Sequence, residues 1–264
     1  MQIIDKGSGT PLVLVPGLQG RWEYMRGTAD ALARSFRVLT FSLCGERSSG
    51  LRLEPAKGLD NYPAQIRAVL DERRVDRAII CGVSFGGIVA VKFAAAEPDR
   101  TRALVLASTP GPQWHLRRRH QIYVRAPRIF GPVFLAETPL RVREEIAAAL
   151  PARLDRLRFG VTQLSTLLRA PVSLGRMGER GRLISTLDLV ADCARITAPT
   201  LVVSGERGLD QVVPESGPSE YLRAIAGAHA AVIERTGHLG SITRPDVFAA
   251  IVREFVERQR DAAA

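Results

Sequence analysis

Short, nearly continuous apolar runs alternate with stretches of helical periodicity along most of this chain. Pro11–Val15 (PLVLV), Phe36–Leu43 (FRVLTFSL), Asp76–Val83 (DRAIICGV), Ala103–Ala107 (ALVLA), Thr200–Val203 (TLVV) and Ala230–Ile233 (AAVI) read as strands. Their Val/Ile/Leu content without strict alternation suits strands covered on both faces, as in a parallel sheet. The segments between them carry apolar residues at three- and four-residue spacing and predict helices over Met25–Arg34, Tyr62–Glu72, Phe85–Ala95, Pro218–Ile225 and Val247–Arg258. Pro218 suits a first helical position, where no N–H is needed. Ile3–Ile4 adds a short edge strand. Strand–helix alternation of this kind implies right-handed crossovers and an α/β fold with a mostly parallel central sheet flanked by helices.

The pattern breaks between Gly111 and Ala198. This stretch has helical periodicity, as in Arg141–Leu150 and Leu154–Leu168, no strand signal, and prolines at 112, 127, 132, 139, 151 and 171 that punctuate it into several short helices. It divides the chain into an α/β core, 1–110 and 199–264, and a helical insertion, 111–198. Charge marks the same boundary. The chain carries 37 Lys+Arg against 27 Asp+Glu, a net charge of +10. The insertion holds 15 arginines against seven acids, a net of +8, with its densest cluster at Arg117–His120. The core is therefore close to neutral.

Composition narrows the class. Charged residues are 24% and hydrophobic residues 46% of the 264, and the mean hydropathy is +0.02. That is a chain with a real core rather than a basic tail. Aromatics are only 6% and do not interleave with the arginines, which argues against a stacking platform for single-stranded nucleic acid. Cys44, Cys81 and Cys193 form no CxxC pair, so neither a disulfide framework nor a zinc site is expected. MQIIDKGSGT has no basic and apolar leader pattern, and the longest apolar run, Ala78–Val91, is too short to span a membrane. A soluble cytoplasmic protein is expected.

The chemistry sits at the junction of the third long strand and the helix after it. Gly82-Val83-Ser84-Phe85-Gly86-Gly87 has the composition of a very tight strand-to-helix turn that lifts the Ser84 hydroxyl clear of the sheet. A serine nucleophile needs a base. His238, between Gly237 and Leu239-Gly240 just after the last strand, lies in a loop at the carboxyl end of the sheet, where ligands bind in such folds. His229 starts a strand, and His115 and His120 lie in the arginine-rich insertion, where they read as surface residues with an opening for substrate contact. An imidazole base needs an acid partner. Asp210, in the loop after the fifth strand, fits better than its rival Glu206. An oxyanion hole needs two donors. Phe85 N–H follows the nucleophile directly, and Leu18 N–H lies in the loop Pro16-Gly17-Leu18-Gln19-Gly20. Gln19, Trp22, Arg117 and His120 are candidate substrate-binding residues.

These residues, in the order Ser84, Asp210, His238, resemble the α/β-hydrolase superfamily over nearly the whole chain, with the insertion where that superfamily carries its helical cap. The resemblance implies a cofactor-free serine hydrolase with a Ser-His-Asp triad and no metal. It is nearest to small esterases, enol-lactonases, haloperoxidase-like hydrolases and carbon–carbon bond hydrolases. Ser84 at the nucleophile position argues against the branches that use aspartate there. In the loop after the second strand, Ser42 and Gly45-Glu46-Arg47 stand where relatives often carry an acid and a Gly-His-Gly run.

The expected reaction is acyl transfer from an ester or lactone of a small molecule to water. The charge of the insertion points to an anionic substrate, such as a carboxylate-bearing lactone, ester or diketone, or else to a solvated face. Competing readings are a ligand receptor on the same fold, a carbon–carbon hydrolase or lyase using the same triad, and a non-specific polyanion binder. No specific nucleic-acid partner is expected, and the oligomeric state leaves no mark on the sequence.

Overall fold

A computed structural model describes residues 1–116, 118–185 and 187–261. Arg117, expected at the substrate, lies outside the described residues. Seven strands form one sheet: β1 (Ile3–Lys6), β2 (Pro11–Val15), β3 (Arg37–Phe41), β4 (Ala78–Val83), β5 (Thr101–Ala107), β6 (Thr200–Gly205) and β7 (His229–Ile233). Their order is β1-β3-β2-β4-β5-β6-β7. All neighbours are parallel except β1, the expected edge strand, which pairs antiparallel with β3.

The continuous apolar runs bury both faces of the sheet. Along β2 and β4, Val13, Val15 and Ile80 point into one cluster with Tyr62, Ile66 and Val69 of α2 (Asn61–Glu72) and with α3 (Phe85–Ala96). Leu12, Leu14, Ile79 and Cys81 point the other way, against α1 (Arg26–Leu32) and a long C-terminal helix over Pro245–Asp261. The central helix α3 shows little amphipathicity because it is buried nearly all round.

Six helices fill the insertion between β5 and β6: α4 (Arg118–Arg125), α5 (Pro127–Arg141), α6 (Arg143–Ala149), α7 (Arg153–Arg169), α8 (Leu174–Ile184) and α9 (Val190–Ala194). α4, α5 and α8 pack on one another, and α9 packs on α3. Two proline expectations fail. Pro132 and Pro139 do not end helices but lie inside α5; both are exposed, so the helix carries them on its water side. Pro218 is the third rather than the first residue of α10 (Ser216–Ala224), still within the turn whose N–H groups have no helical acceptor. Two more helices among the described residues, α11 (Gly240–Thr243) and α12 (Pro245–Asp261), follow β7. Among the described residues no helix is long and apolar enough to cross a membrane.

Candidate active site

Ser84 joins β4 to α3 at φ 54 and ψ −118, a conformation that strains any residue with a Cβ. The surrounding glycines make it possible. A Cβ on Gly82 would overlap the Gly86 carbonyl, and one on Gly86 would overlap the carbonyl oxygens of Val15 and Pro16. The elbow is therefore wedged between α3 and the loop after β2. That loop carries Leu18. The N–H groups of Leu18 and Phe85 have no backbone acceptor among the described residues, and both residues line the same cavity as Ser84.

Asp210 and His238 arrive on two loops held back to back. Gly205 ends β6, and a Cβ there would overlap the Thr236 and Gly237 carbonyls; one on Gly237 would overlap the Leu209 carbonyl. This contact brings Asp210 beside His238. His238 Nδ1 lies 3.3 Å from Asp210 Oδ2, and Nε2 lies 3.1 Å from Ser84 Oγ. Asp210 Oδ1 accepts from the N–H groups of Val212 and Val213, each at 2.8 Å. The rival Glu206 is occupied elsewhere, accepting from Arg235 N–H at 2.8 Å.

The electrostatics follow this geometry. Burial pulls the His238 imidazolium down, but the Asp210 hydrogen bond and charge, with the charge of Glu145, outweigh it and hold the pKa above the ordinary histidine value. Burial pushes the Asp210 carboxyl up, yet His238 and the two amides outweigh that and keep it below the usual carboxylate range. Cys81, three residues before the serine, is a buried thiol pushed up to about 12 and not a competing nucleophile.

The insertion supplies two groups that the sequence did not single out. Glu145 of α6 is buried at 2% exposure. Its Oε1 accepts from Gly237 N–H at 2.9 Å and from Leu239 N–H, the amides on either side of His238. Burial raises its carboxyl above the ordinary value, against the lowering effect of those amides and of His238. Arg180 of α8 is completely buried. Its Nη1 donates to the Leu18 carbonyl at 3.0 Å and its Nη2 to Glu46 at 2.7 Å. Its guanidinium covers Gly20, where a Cβ would collide with it. Glu46, a departure from the family pattern in the loop after β3, is thus the partner of a cap arginine. Each charge has a legible signal: it interrupts a buried apolar stripe, Val142–Glu145–Ala149 from the N-cap of α6 along that helix and Met177–Arg180–Ile184 on α8.

A cavity of about 150 Å³ opens above Ser84, walled by α4, α5 and α8. Trp114, Leu116, Val124, Phe134, Val142 and Met177 make it largely apolar. His120 lines it, buried against the rings of Tyr123 and Phe134; its surface reading is therefore corrected, because α4 packs inward on α5 and α8. His115 is exposed. Gln19 and Trp22 fall outside the cavity lining; the Trp22 ring is covered by the Arg26 guanidinium 5.0 Å away. Arg141 reaches the lining but is already paired with Glu137 and rests on Phe134 and Tyr123. Among the described residues it is the one arginine of the insertion at the lining.

A sequence model described as "Alpha/beta hydrolase family" matches residues 12–251. The pimeloyl-[acyl-carrier protein] methyl ester esterase of Aeromonas salmonicida is 28% identical over 95% of this chain and 96% of its own. The poly(3-hydroxyalkanoate) depolymerase of Ectopseudomonas oleovorans is 26% identical, covering 96% of this chain and 87% of its own. Among solved structures, the enol-lactonase from Burkholderia xenovorans LB400 superposes with a TM-score of 0.76 at 22% identity, covering 97% of this chain and 96% of that one.

Proposed function

The chain belongs to the alpha/beta hydrolase family, and from its site we infer that it is a serine hydrolase cleaving an ester, lactone or related acyl bond of a small molecule. The observation that carries this is the line from Ser84 Oγ through the His238 ring to Asp210, ending in an apolar cavity. His238 Nε2 takes the Ser84 proton as Oγ bonds to the carbonyl carbon. The carbonyl electron pair moves to oxygen, where Leu18 and Phe85 N–H groups hold it. Collapse expels the alkoxide, which the imidazolium protonates, and leaves an acyl-serine. His238 then deprotonates water, which attacks the acyl carbon; the acid departs and Ser84 recovers its proton.

The lining favours a neutral substrate with an apolar acyl or alcohol part. Among the described residues Arg141 is the one guanidinium at the wall, and it is already paired with Glu137. The methyl ester esterase named above is a relative whose name falls in this bond class.

A fluorophosphonate probe should label the chain at Ser84, and Ser84→Ala should abolish labelling and lower turnover of p-nitrophenyl esters about 10⁵- to 10⁶-fold. Labelling that survives the substitution refutes the assignment. With the wild type, kcat/KM should rise from acetyl to longer acyl chains; a carboxylated ester preferred over its neutral counterpart would return the charge to the cavity.

A further inference from the structure

Helix α7 turns its apolar seam away from the protein. Leu154, Leu157, Val161, Leu164 and Leu168 follow the alternating three- and four-residue spacing of one helix face, and each is between 56% and 75% exposed. The half-buried positions are Arg156, Phe159, Gln163, Ser165 and Thr166, and no residue of the helix is buried. An amphipathic helix ordinarily sets its apolar stripe on its own core; here the core receives the mostly polar side. The wall helix α5 repeats the arrangement. Phe134 and Thr138 face the cavity, while Ile129 and Leu140 are 70% and 67% exposed.

The charges around these stripes are mostly of one sign. From Arg118 to Arg169 there are ten arginines and four acids. Arg125, Arg128, Arg153 and Arg169 are exposed, as are Arg143 and Arg158, which meet the acids Glu144 and Asp155 only at 3.6 and 3.7 Å. Of the remaining acids, Glu145 is buried on the His238 loop and Glu137 is held by Arg141.

We propose that the exposed apolar stripes of α7 and α5 dock on an anionic lipid surface. The apolar stripes enter the headgroup boundary and the arginines meet the anionic headgroups, as a basic amphipathic helix does when it lies in an interface without crossing it. Charge decides between occupants. A second copy of this chain would bring the same positive face against itself, a like-charge contact that works against association. An anionic surface complements it. Docked this way, the wall of the substrate cavity lies against the bilayer. Binding itself does not depend on the hydrolytic reading.

The test is flotation of the full chain with vesicles of phosphatidylcholine alone and of phosphatidylcholine mixed with phosphatidylglycerol. Binding to the mixed vesicles should be at least about tenfold stronger and should weaken with salt. Leu157→Glu/Leu164→Glu should lower it about tenfold or more while leaving the unfolding midpoint and Ser84 labelling unchanged. Arg153→Glu/Arg158→Glu should lower it independently, so the proposal stays testable if the first variant misfolds. Absence of binding to the mixed vesicles, equal binding to both, or either folded variant binding like the wild type overturns it. So does light scattering that shows a dimer dissolved by the leucine substitutions, which would assign the face to a second copy.

Discussion

In the sheet, β2, β4 and β5 send alternate apolar side chains to two clusters, and the loops that follow β4, β6 and β7 are held by backbone meeting backbone at Gly82, Gly86, Gly205 and Gly237. In the insertion, helices keep one face on the cavity, leave apolar residues outside, and place a single buried charge, Glu145 or Arg180, on a stripe that is otherwise apolar. The difference separates two tasks. The core sets where Ser84, Asp210 and His238 stand. The insertion reaches those same loops through the tips of two side chains, one on the base loop and one on the oxyanion loop, and so couples the cavity walls to the catalytic groups.

Substitutions on the two sides of this divide should behave differently. The largest effect belongs to the core. Asp210→Asn leaves the loops in place but removes the partner that fixes the His238 tautomer, and kcat should fall about 10⁴-fold with little change in KM; a KM effect of similar size would mean that Asp210 serves binding. A smaller effect, on stability rather than chemistry, is expected from the insertion. Arg180→Ala leaves Glu46 buried without its cation and should cost about 3–5 kcal/mol in denaturant unfolding. Arg180→Met combined with Glu46→Met should recover much of that loss, because the pair is then gone as a whole. Loss under about 1 kcal/mol for the single variant would show that the insertion swings clear of the core.

The smallest effect is a shift in pH dependence. His238 acts as a base only when neutral, and its raised pKa places the acid limb of kcat/KM above the ordinary histidine value of about 6.5. Activity therefore falls as pH drops through that limb. Glu145 is one of the charges that raise it, so Glu145→Gln should move the limb to lower pH and reduce kcat only a few-fold. Arg180→Ala should leave the limb in place. A limb unmoved by Glu145→Gln would reduce Glu145 to a structural tie.

The sheet and the meeting of Ser84, His238 and Asp210 were legible because backbone geometry there demands particular residues. Only glycine fits at 82 and 86, so the elbow announces itself, and strands buried on both faces leave continuous apolar runs. Asp210 was separable from Glu206 by its place in the loop, and the structure adds that Glu206 is spent on Arg235 N–H. The insertion was less legible because its pattern serves two surfaces. Glu144 and Glu145 are adjacent acids on one helix, yet Glu144 is exposed and Glu145 buried; only the stripe of Val142 and Ala149 tells them apart. Fifteen arginines likewise hid Arg180. His120 looked like part of a charged surface because its neighbours are arginines, whereas the helix turns it toward Tyr123 and Phe134.

The two-faced build of α5 has a consequence for how this protein can change. Phe134 and Thr138 address whatever occupies the cavity, while Ile129 and Leu140 address whatever lies outside, and the two sets interleave along fifteen residues. Neighbours in the chain thus meet separate environments. A saturation scan of this helix scored for turnover and again for location would show two banded profiles, each repeating with the helical turn and displaced from the other by about half of it. On the docking proposed above, substrate range and membrane attachment can change independently on one element, with neither change passing through Ser84, Asp210 or His238.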